Sequence, residues 1–132
     1  MSLDDQRRLT ERFLVAARQG NLQRLEEVLA ADVTYWMDGG RQARAARRPI
    51  DSRHSVARLM SFLLTKIFPS VEFSFEHVNG GIGLLWWEGD RLINVTELTI
   101  RDGEIVALRS VMNPDKLAYI RRRVDPSGIP VG

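Results

Sequence analysis

The segment LINVTELTIRDGEIVALRSVMNPDKL, residues 92–117, decides the fold expected of this chain. It contains two runs rich in β-branched and aliphatic residues, at 92–100 and 104–112. An Asp-Gly pair between two such runs strongly indicates a tight β-hairpin, and Asp102-Gly103 stands between these two. The segment therefore predicts two antiparallel strands that run directly into Asn113-Pro114-Asp115-Lys116-Leu117.

Two more strands precede this hairpin and extend it. The apolar runs before it are separated by Asn79-Gly80 and Gly89-Asp90, which are short turn sequences. Consecutive tight hairpins make neighbouring strands antiparallel, so the second half of the chain is predicted to form a meander. The four predicted strands are 71–78, 82–88, 91–101 and 104–112.

Helices are predicted mainly in the first half of the chain. Apolar residues recur at helical spacing over 3–18 and 21–30. The clearest helix is 52–68, whose apolar stripe must face a core. The residues that cap or stop these helices are Ser2, Gly20, Asn21 and Pro69.

A separate strand is predicted between the second and third helices. Alternation over Asp32–Asp38 puts Val33, Tyr35 and Met37 on one face and the intervening residues on the other. Gly39-Gly40 ends this strand, and Gln42–Arg47 is a candidate for a short strand that pairs back on it.

Helices followed by a meander predict an α+β fold, with the helices on one face of a bent sheet. A curved sheet wrapped over a long helix encloses a cone with a cavity at its wide end, and such cavities are mostly apolar with a few polar groups. The chain has 132 residues, of which 44% are hydrophobic. This predicts a single domain over residues 1–124, followed by a flexible Pro- and Gly-containing tail over 125–132.

The composition of the chain limits the kinds of partner that it is expected to bind. The chain has no cysteine and no apolar run long enough to cross a membrane, so we expect a cytoplasmic protein without a membrane partner. Its net charge is only +2, and neither a helix-turn-helix signature nor an aromatic RNA-binding platform is found, so no direct nucleic-acid binding is expected. An arginine cluster is either a phosphate- or acid-binding patch or a solvated surface. Its members are Arg41, Arg44, Arg47, Arg48, Arg53 and Arg58.

Four side chains are candidates to line the cavity. Asn94 and Thr96 share one face of their strand and would be its polar landmarks if that face is concave. Alternation allows only one of Trp86 and Trp87 to point inward. The candidate pocket residues are Trp36, Trp86, Asn94 and Thr96.

An enzyme of this shape would need an acid or a base in the cavity. A buried carboxylate with a raised pKa could shuttle protons there. However, the two histidines lie on different predicted elements, and neither a nucleophile elbow nor metal-ligand spacing is found. The sequence therefore predicts no metal and no cofactor. Among Asp38, His54, His77 and Glu97, the fallback catalytic candidates are Asp38 and His54.

Two motifs resemble one family of bacterial regulators. Asp38-Gly39-Gly40-Arg41-Gln42, continued by ARAARRPI at 43–50, resembles its Asp-Gly-Gly-Gly-Lys segment and "ARRPI" continuation, and Asn113–Leu117 matches its C-terminal motif letter for letter. The order of elements resembles the SnoaL-like branch of the nuclear transport factor 2-like fold over about residues 5–120. Together the motifs are similar to the C-terminal SnoaL-like extension of one group of extracytoplasmic-function sigma factors.

The resemblance implies three N-terminal helices packed on a curved, mainly antiparallel sheet, and a non-catalytic role in controlling transcription initiation. It implies contact with sigma-factor core regions in the same or a parent chain, with RNA polymerase only indirectly, and a small ligand in the cone as a candidate effector. Arg41 and Gln42 depart from the family's Gly and Lys. The implied contact residues are Asp38, Gly39, Gly40, Asn113, Pro114, Asp115, Lys116 and Leu117.

Two alternatives remain open. One is a small isomerase, dehydratase or cyclase that uses Asp38, and the burial of Asp38 would discriminate it. The other is a homodimeric small-molecule-binding module that pairs through the outer face of the sheet.

Overall fold

A computed structural model of the chain describes residues 2–38, 49–78 and 81–123. Within these residues four α-helices lie on a five-stranded sheet. The helices are α1 (Leu3–Gln19), α2 (Leu22–Val28), α3 (Arg53–Phe62) and α4 (Pro114–Arg121). The strands are β1 (Leu29–Asp38), β2 (Glu72–Val78), β3 (Gly81–Glu88), β4 (Arg91–Arg101) and β5 (Glu104–Met112).

The predicted meander is confirmed, and β1 adds a fifth strand to it. Strands β2 to β5 pair consecutively and antiparallel, whereas β1 pairs with β5 in parallel. The resulting order is β1-β5-β4-β3-β2. A parallel neighbour needs a long connection, and here all of β2 to β4 and α3 lie between the two strands, so local sequence could not place β1 in the sheet.

The first two helices follow their predicted caps. Ser2 and Asp5 form a capping box at the start of α1, and Gly20 ends the helix with a φ of 67°. Helix α2 ends at Val28, two residues earlier than predicted, because Leu29 has an extended backbone and pairs with Ile105.

The predicted third helix consists of two parts. Helix α3 ends at Phe62, and the chain continues as a π-helical segment, Leu63–Ile67. The Phe68 N–H closes this segment by donating to the Leu63 carbonyl at 2.7 Å. The apolar stripe is nevertheless buried as predicted, since an apolar pattern this short does not distinguish α from π winding.

The core lies between the helices and one face of the sheet. Irregularities in pairing occur at Trp86/Trp87 and at Thr99/Ile100, and bulges of this kind bend strands. Of the two tryptophans, Trp86 is fully buried and Trp87 is partly exposed, which confirms that only one points inward. The sheet is therefore curved, and its concave face carries the core.

Several sequence predictions fall outside the described residues. They are the Gly39-Gly40 loop, the short strand at 42–47, the Asn79-Gly80 turn and the tail at 125–132.

Candidate functional site

The cross-strand register brings polar residues together on the concave face. Thr96 on β4 lies directly opposite Ser110 on β5. In the next row along the sheet, Asn94 lies between Met112 on β5 and Trp86 on β3. Asn94, Thr96 and Ser110 are all buried, at 1%, 0% and 0% exposure. The concave face therefore has a polar centre inside an otherwise apolar core.

Four side chains form a buried hydrogen-bonded chain there. The Trp86 indole Nε1–H donates to Thr96 Oγ1 at 3.1 Å. Thr96 Oγ1 and Ser110 Oγ lie 2.7 Å apart, and Ser110 Oγ lies 3.0 Å from the Tyr35 hydroxyl. Burial raises the pKa of Tyr35 to about 12, although the Ser110 hydrogen bond opposes this rise. Tyr35 therefore remains a neutral hydroxyl at physiological pH.

This chain has one donor more than it has hydrogen bonds. The indole and the three hydroxyls supply four donor hydrogens, one from each group. Three bonds join the four groups, so they consume three donors. Whichever way the hydroxyls rotate, one O–H is not used in the hydrogen bonds among these four side chains.

Asn94 differs from its neighbours because its amide is unpaired. Neither Oδ1 nor Nδ2 has a hydrogen-bond partner among the described residues, and both atoms are buried. Neither cross-strand neighbour offers it a side-chain hydrogen bond, because Met112 is apolar and Trp86 donates its only N–H to Thr96. The structure thus brings together three of the four predicted pocket residues, Trp86, Asn94 and Thr96.

Trp36 lies elsewhere, and this corrects its assignment to the pocket. Burial along β1 alternates so that Val33, Tyr35 and Met37 face the core, while Trp36 lies on the outer face. There the Arg109 guanidinium lies 5.2 Å from the Trp36 ring centroid. The residue that joins the interior from β1 is Tyr35.

Asp38 shares the outer face with Trp36. It is partly buried and pairs in register with Val111, which is exposed. A carboxylate on this face cannot exchange protons with a molecule inside the cone. This placement weighs against the enzyme alternative that uses Asp38.

The other titratable candidates also lie away from the interior. His54 is exposed, and its Nδ1 lies 3.6 Å from Glu26 Oε2. His77 and Glu97 are exposed on β2 and β4. Among the residues that the structure describes, no group of three or more acidic, His or Cys side chains is arranged to hold a metal ion.

The segment Asn113–Leu117 starts α4 and is tied to the sheet. The Asn113 side chain accepts the Asp115 N–H at 2.9 Å, and Pro114 occupies the first turn. The Asn113 N–H donates to the Ile93 carbonyl at 2.9 Å, which fixes the point where the helix leaves β5.

Two further contacts anchor α4 across the end of the sheet. Lys116 Nζ lies 2.9 Å from Glu88 Oε1 at the end of β3. Leu117 and Ile120 are buried in the core. Because α4 leaves β5 after Met112 and is tied to Glu88 at the end of β3, it crosses the end of the sheet.

The exposed edge of α4 is distinct from this anchored side. Pro114, Asp115 and Ala118 are exposed, and Tyr119 is 39% exposed. The Arg123 guanidinium donates to the Tyr119 hydroxyl at 2.6 Å and lies 5.6 Å from the Phe62 ring centroid. The segment therefore has an inner side that holds it in place and an outer side that is free to contact a partner.

The two predicted contact motifs begin at the same end of the sheet, where β1 and β5 finish side by side. Strands β1 and β5 are parallel, and Asp38 is in register with Val111. Asp38 is the residue before Gly39, and Val111 is two residues before Asn113. Motifs 75 residues apart in sequence thus start from neighbouring strand ends.

Solved structures with a similar fold identify the architecture. A nuclear transport factor 2-like protein of unknown function from Cytophaga hutchinsonii matches 86% of this chain and 94% of its own with a TM-score of 0.60 at 14% identity. A de novo designed protein with a curved β-sheet matches 92% of this chain and 96% of its own with a TM-score of 0.69 at 19% identity. The fold is nuclear transport factor 2-like.

One relative of this nuclear transport factor 2-like domain is a sigma factor. The chain is 30% identical over 129 residues to the ECF RNA polymerase sigma factor SigJ of Mycobacterium tuberculosis, covering 89% of this chain and 41% of SigJ. The crystal structure of SigJ matches 86% of this chain and 44% of its own with a TM-score of 0.60 at 27% identity. The domain therefore resembles part of an extracytoplasmic-function sigma factor and spans less than half of that protein's length. No family model matches the chain.

Within residues 2–38, 49–78 and 81–123, no helix is both long and apolar enough to span a membrane.

Sequence reasoning missed two members of the buried chain, Tyr35 and Ser110. Ser110 lies in the alternation Leu108, Ser110, Met112, and a polar residue at a core-facing position of a strand was the signal that could have found it. Tyr35 required knowledge that β1 pairs with β5, since only that pairing brings its hydroxyl to Ser110.

Proposed function

We propose that this chain is a non-catalytic regulatory domain of an extracytoplasmic-function sigma factor. The observation that carries the proposal is the 30% identity to SigJ over 89% of the chain, together with the shared fold. The domain acts by contacting the sigma-factor core regions, and reaches RNA polymerase only through them. This role implies a cytoplasmic protein.

The proposed contact surface is the outer edge of α4. Leu117 is buried and Lys116 is paired with Glu88, so these two residues of the motif hold the helix on the domain. Asp115 is exposed in the first turn and presents its carboxylate to a partner. Tyr119, one turn further along, adds an exposed aromatic ring of the kind enriched at interfaces.

The second half of the contact is assigned to the Asp38–Gly40 motif. Asp38 lies at the sheet edge from which α4 also departs, which supports a single surface built from both motifs. Gly39 and Gly40 lie outside the described residues, and their role rests on the resemblance and on this shared edge.

The experiment measures binding of the purified chain to purified sigma core regions of its parent gene. Asp115→Arg reverses the charge on the exposed edge, and we expect it to weaken binding by about tenfold, because a like-charge contact at an interface costs one or more kcal/mol. Transcription by the full sigma factor should change in parallel.

Asp4→Arg is the matched control, because Asp4 is also exposed and occupies the second position of a helix, α1. The two substitutions carry the same penalty against the helix dipole, so only a contact at α4 separates them. Equal binding by the Asp115→Arg variant and the wild type would reject α4 as the contact. Absence of binding to sigma core regions by the wild type would reject the function itself.

A homodimeric module remains the second candidate because of the outer face of the sheet. Val111 is 51% exposed there, next to the partly buried Val95. Size-exclusion chromatography over a range of concentrations tests this candidate, and a mass that stays monomeric throughout would remove it.

A further inference from the structure

Two arginine side chains lie against one exposed tyrosine ring at the C-terminal end of α4. The guanidinium carbons of Arg122 and Arg123 lie 5.9 and 5.5 Å from the Tyr119 ring centroid. Arg123 reaches further, since its guanidinium donates to the Tyr119 hydroxyl and lies 5.6 Å from the centroid of the Phe62 ring. The end of α4 is therefore joined to α3 by one guanidinium group that contacts an aromatic ring on each helix.

More cations line the α3 side of this contact. Arg58 and Lys66 come four residues before and four residues after Phe62, so all three share one side of the helix. Lys66 lies in the π-helical segment Leu63–Ile67, whose winding begins directly after Phe62, and such segments are frequent at functional sites. The surface made by these residues is called the basic seam. Its members are Arg58, Phe62, Lys66, Tyr119, Arg122 and Arg123.

The positive charges of the basic seam are not neutralised within the part of the chain that the structure describes. The cations of the salt bridges found there are Arg7, Arg8, His54 and Lys116, and none of these belongs to the seam. The chain as a whole is almost balanced, with 19 basic and 17 acidic residues. A local group of like charges without acids raises the electrostatic potential and attracts anionic partners.

The dipole of α4 explains only part of this arrangement. A cation near the C-terminus of a helix is stabilised by the helix dipole, which accounts for Arg122. Arg58, however, stands in the middle of α3, and Arg123 donates to the Tyr119 hydroxyl rather than to a carbonyl at the end of α4. An arginine held against an aromatic ring has already lost part of its side-chain freedom, so less entropy is lost when it binds a partner.

The chemistry of the seam favours carboxylates over nucleotides. The planar guanidinium group binds both oxygens of a carboxylate through two parallel hydrogen bonds. Binding of single-stranded nucleic acid relies on aromatic rings whose faces are free to stack on bases. Arginines already lie over both rings of the seam, Tyr119 and Phe62, so these rings are not free platforms.

We propose that the basic seam binds an acidic segment of a partner protein. Asp115 begins the helix that the arginines end, so the partner must present a cation opposite Asp115 and acids opposite the seam. This order of charges fixes the orientation of the partner along α4. The location of the acidic segment in the sigma-factor core regions rests on the proposed function, whereas the recognition of acids by the seam does not.

The first test is a calorimetric titration of the whole chain at low salt with a Glu-Ala repeat peptide. A Gln-Ala repeat of the same length removes the charges, and single-stranded and duplex DNA replace the carboxylates with phosphates. We expect the Glu-Ala peptide to bind and the Gln-Ala peptide not to bind. The affinity for the Glu-Ala peptide should fall as salt is added, because salt screens exposed charges.

Charge reversals on the two helices test the seam itself. Arg58→Glu on α3 and Arg122→Glu on α4 should each weaken binding of the Glu-Ala peptide and of the sigma core regions by about tenfold. If the second substitution frays α4, the first still decides the outcome. Arg12→Glu is the matched control, since Arg12 is exposed on α1 and the change in net charge is the same. It should change either affinity by less than about twofold, because distant surface charges are screened.

The lysines of the chain allow the contact to be mapped chemically. A carbodiimide joins a lysine amine directly to a carboxylate that it contacts. The chain has only Lys66, in the seam, and Lys116, which is paired with Glu88. We expect mass spectrometry to find a cross-link between Lys66 and an acidic residue of the sigma core regions. Lys66→Arg keeps the charge, so it should bind like the wild type and lose this cross-link.

Three results would overturn the proposal. They are equal binding of the Glu-Ala and Gln-Ala peptides, unchanged affinity of both seam variants for the Glu-Ala peptide, and tighter binding of DNA that the same variants abolish. The last result would assign the seam to nucleic acid.

The same experiments separate the seam from the proposed function. Binding to the sigma core regions that neither seam variant weakens, or that cross-links only through Lys116, would keep the proposed function and remove the seam from the contact. Binding of the Glu-Ala peptide without any binding to the sigma core regions would reject the proposed function and leave acid recognition by the seam in place.

Discussion

Two neighbouring rows of the same concave face differ in whether their polar side chains are hydrogen-bonded. In the Thr96–Ser110 row, every polar side chain has a partner, and the hydrogen bonds extend to Trp86 and Tyr35. In the Asn94 row, the amide has none among the described residues. Both rows are buried to the same degree and lie on the same strands.

The difference comes from register and from the chemistry of the groups. A hydroxyl both donates and accepts, so hydroxyls placed opposite each other pair without further help, as Thr96 and Ser110 do at 2.7 Å. An amide needs a donor and an acceptor at once, and the register places it between Met112 and a tryptophan whose N–H is already used. The same face therefore carries a hydrogen-bonded network in one row and an unpaired amide in the next.

Thr96→Val gives the largest expected contrast between the rows. The substitution keeps the shape but leaves the Trp86 N–H without its acceptor and Ser110 without one partner. We expect a loss of about 2–4 kcal/mol in the free energy of unfolding, measured by urea denaturation. Thr99→Val is the control, since Thr99 is exposed on the same strand and should change stability by less than about 0.5 kcal/mol. Equal effects of the two variants would mean that the network does not stabilise the fold.

The second prediction concerns Tyr35 and alkaline pH. Its pKa is raised to about 12 in the folded state, whereas an unfolded tyrosine has a pKa near 10. Both states are protonated below pH 10, so the stability is fully present there. As the pH rises from about 10 to 12, the unfolded chain ionises first, and up to about 2–3 kcal/mol of stability is lost.

The measurement is the unfolding free energy of the wild type and of Tyr35→Phe between pH 9 and pH 12. Lysine and arginine titrate equally in both proteins, so their difference isolates Tyr35. We expect this difference to fall steadily above pH 10. If this difference in unfolding free energy did not change with pH, the Tyr35 hydroxyl would be hydrated in the folded protein, and water would reach the Thr96–Ser110 row.

Local sequence signals were sufficient for most of the fold. Asp102-Gly103 and Gly89-Asp90 form the hairpin turns at the predicted positions, and Ser2, Gly20 and Asn21 cap their helices as predicted. These signals work because the interactions that they describe join residues only a few positions apart. The parallel pairing of β1 with β5 joins residues about 70 apart, and no local pattern specifies it.

Local sequence patterns were also insufficient to assign the residues of the candidate site. Alternation correctly separated Trp36 from Tyr35 on β1, but it could not say which set faces the core, and Trp36 was assigned to the pocket. The resemblance implies that Lys116 is a contact residue, and the structure shows it in an ion pair with Glu88, 28 residues away. Asn94 and Thr96 were found together from their spacing, yet only the register explains why one is paired and the other is not.

The smallest expected effect tests whether α4 opens independently of the sheet. Lys116→Gln removes the ion pair with Glu88, whose side chains are 28% and 39% exposed. A pair this exposed contributes about 0.5 kcal/mol, so amide hydrogen exchange in α4 should rise roughly twofold. Exchange at Thr96 and Ser110 should not change, because the hydroxyl chain holds that row independently of α4.

Arg7→Gln is the control, since it breaks the longer and more exposed Arg7–Glu11 pair on α1, at 3.9 Å, and should leave exchange in α4 unaltered. If Lys116→Gln raised exchange equally in α4 and at Thr96, the helix and the sheet would open as one unit. The helix and the two rows would then share one stability. A rise confined to α4 would instead show that the helix opens separately from the sheet, so the proposed contact surface on α4 could move without unfolding the domain.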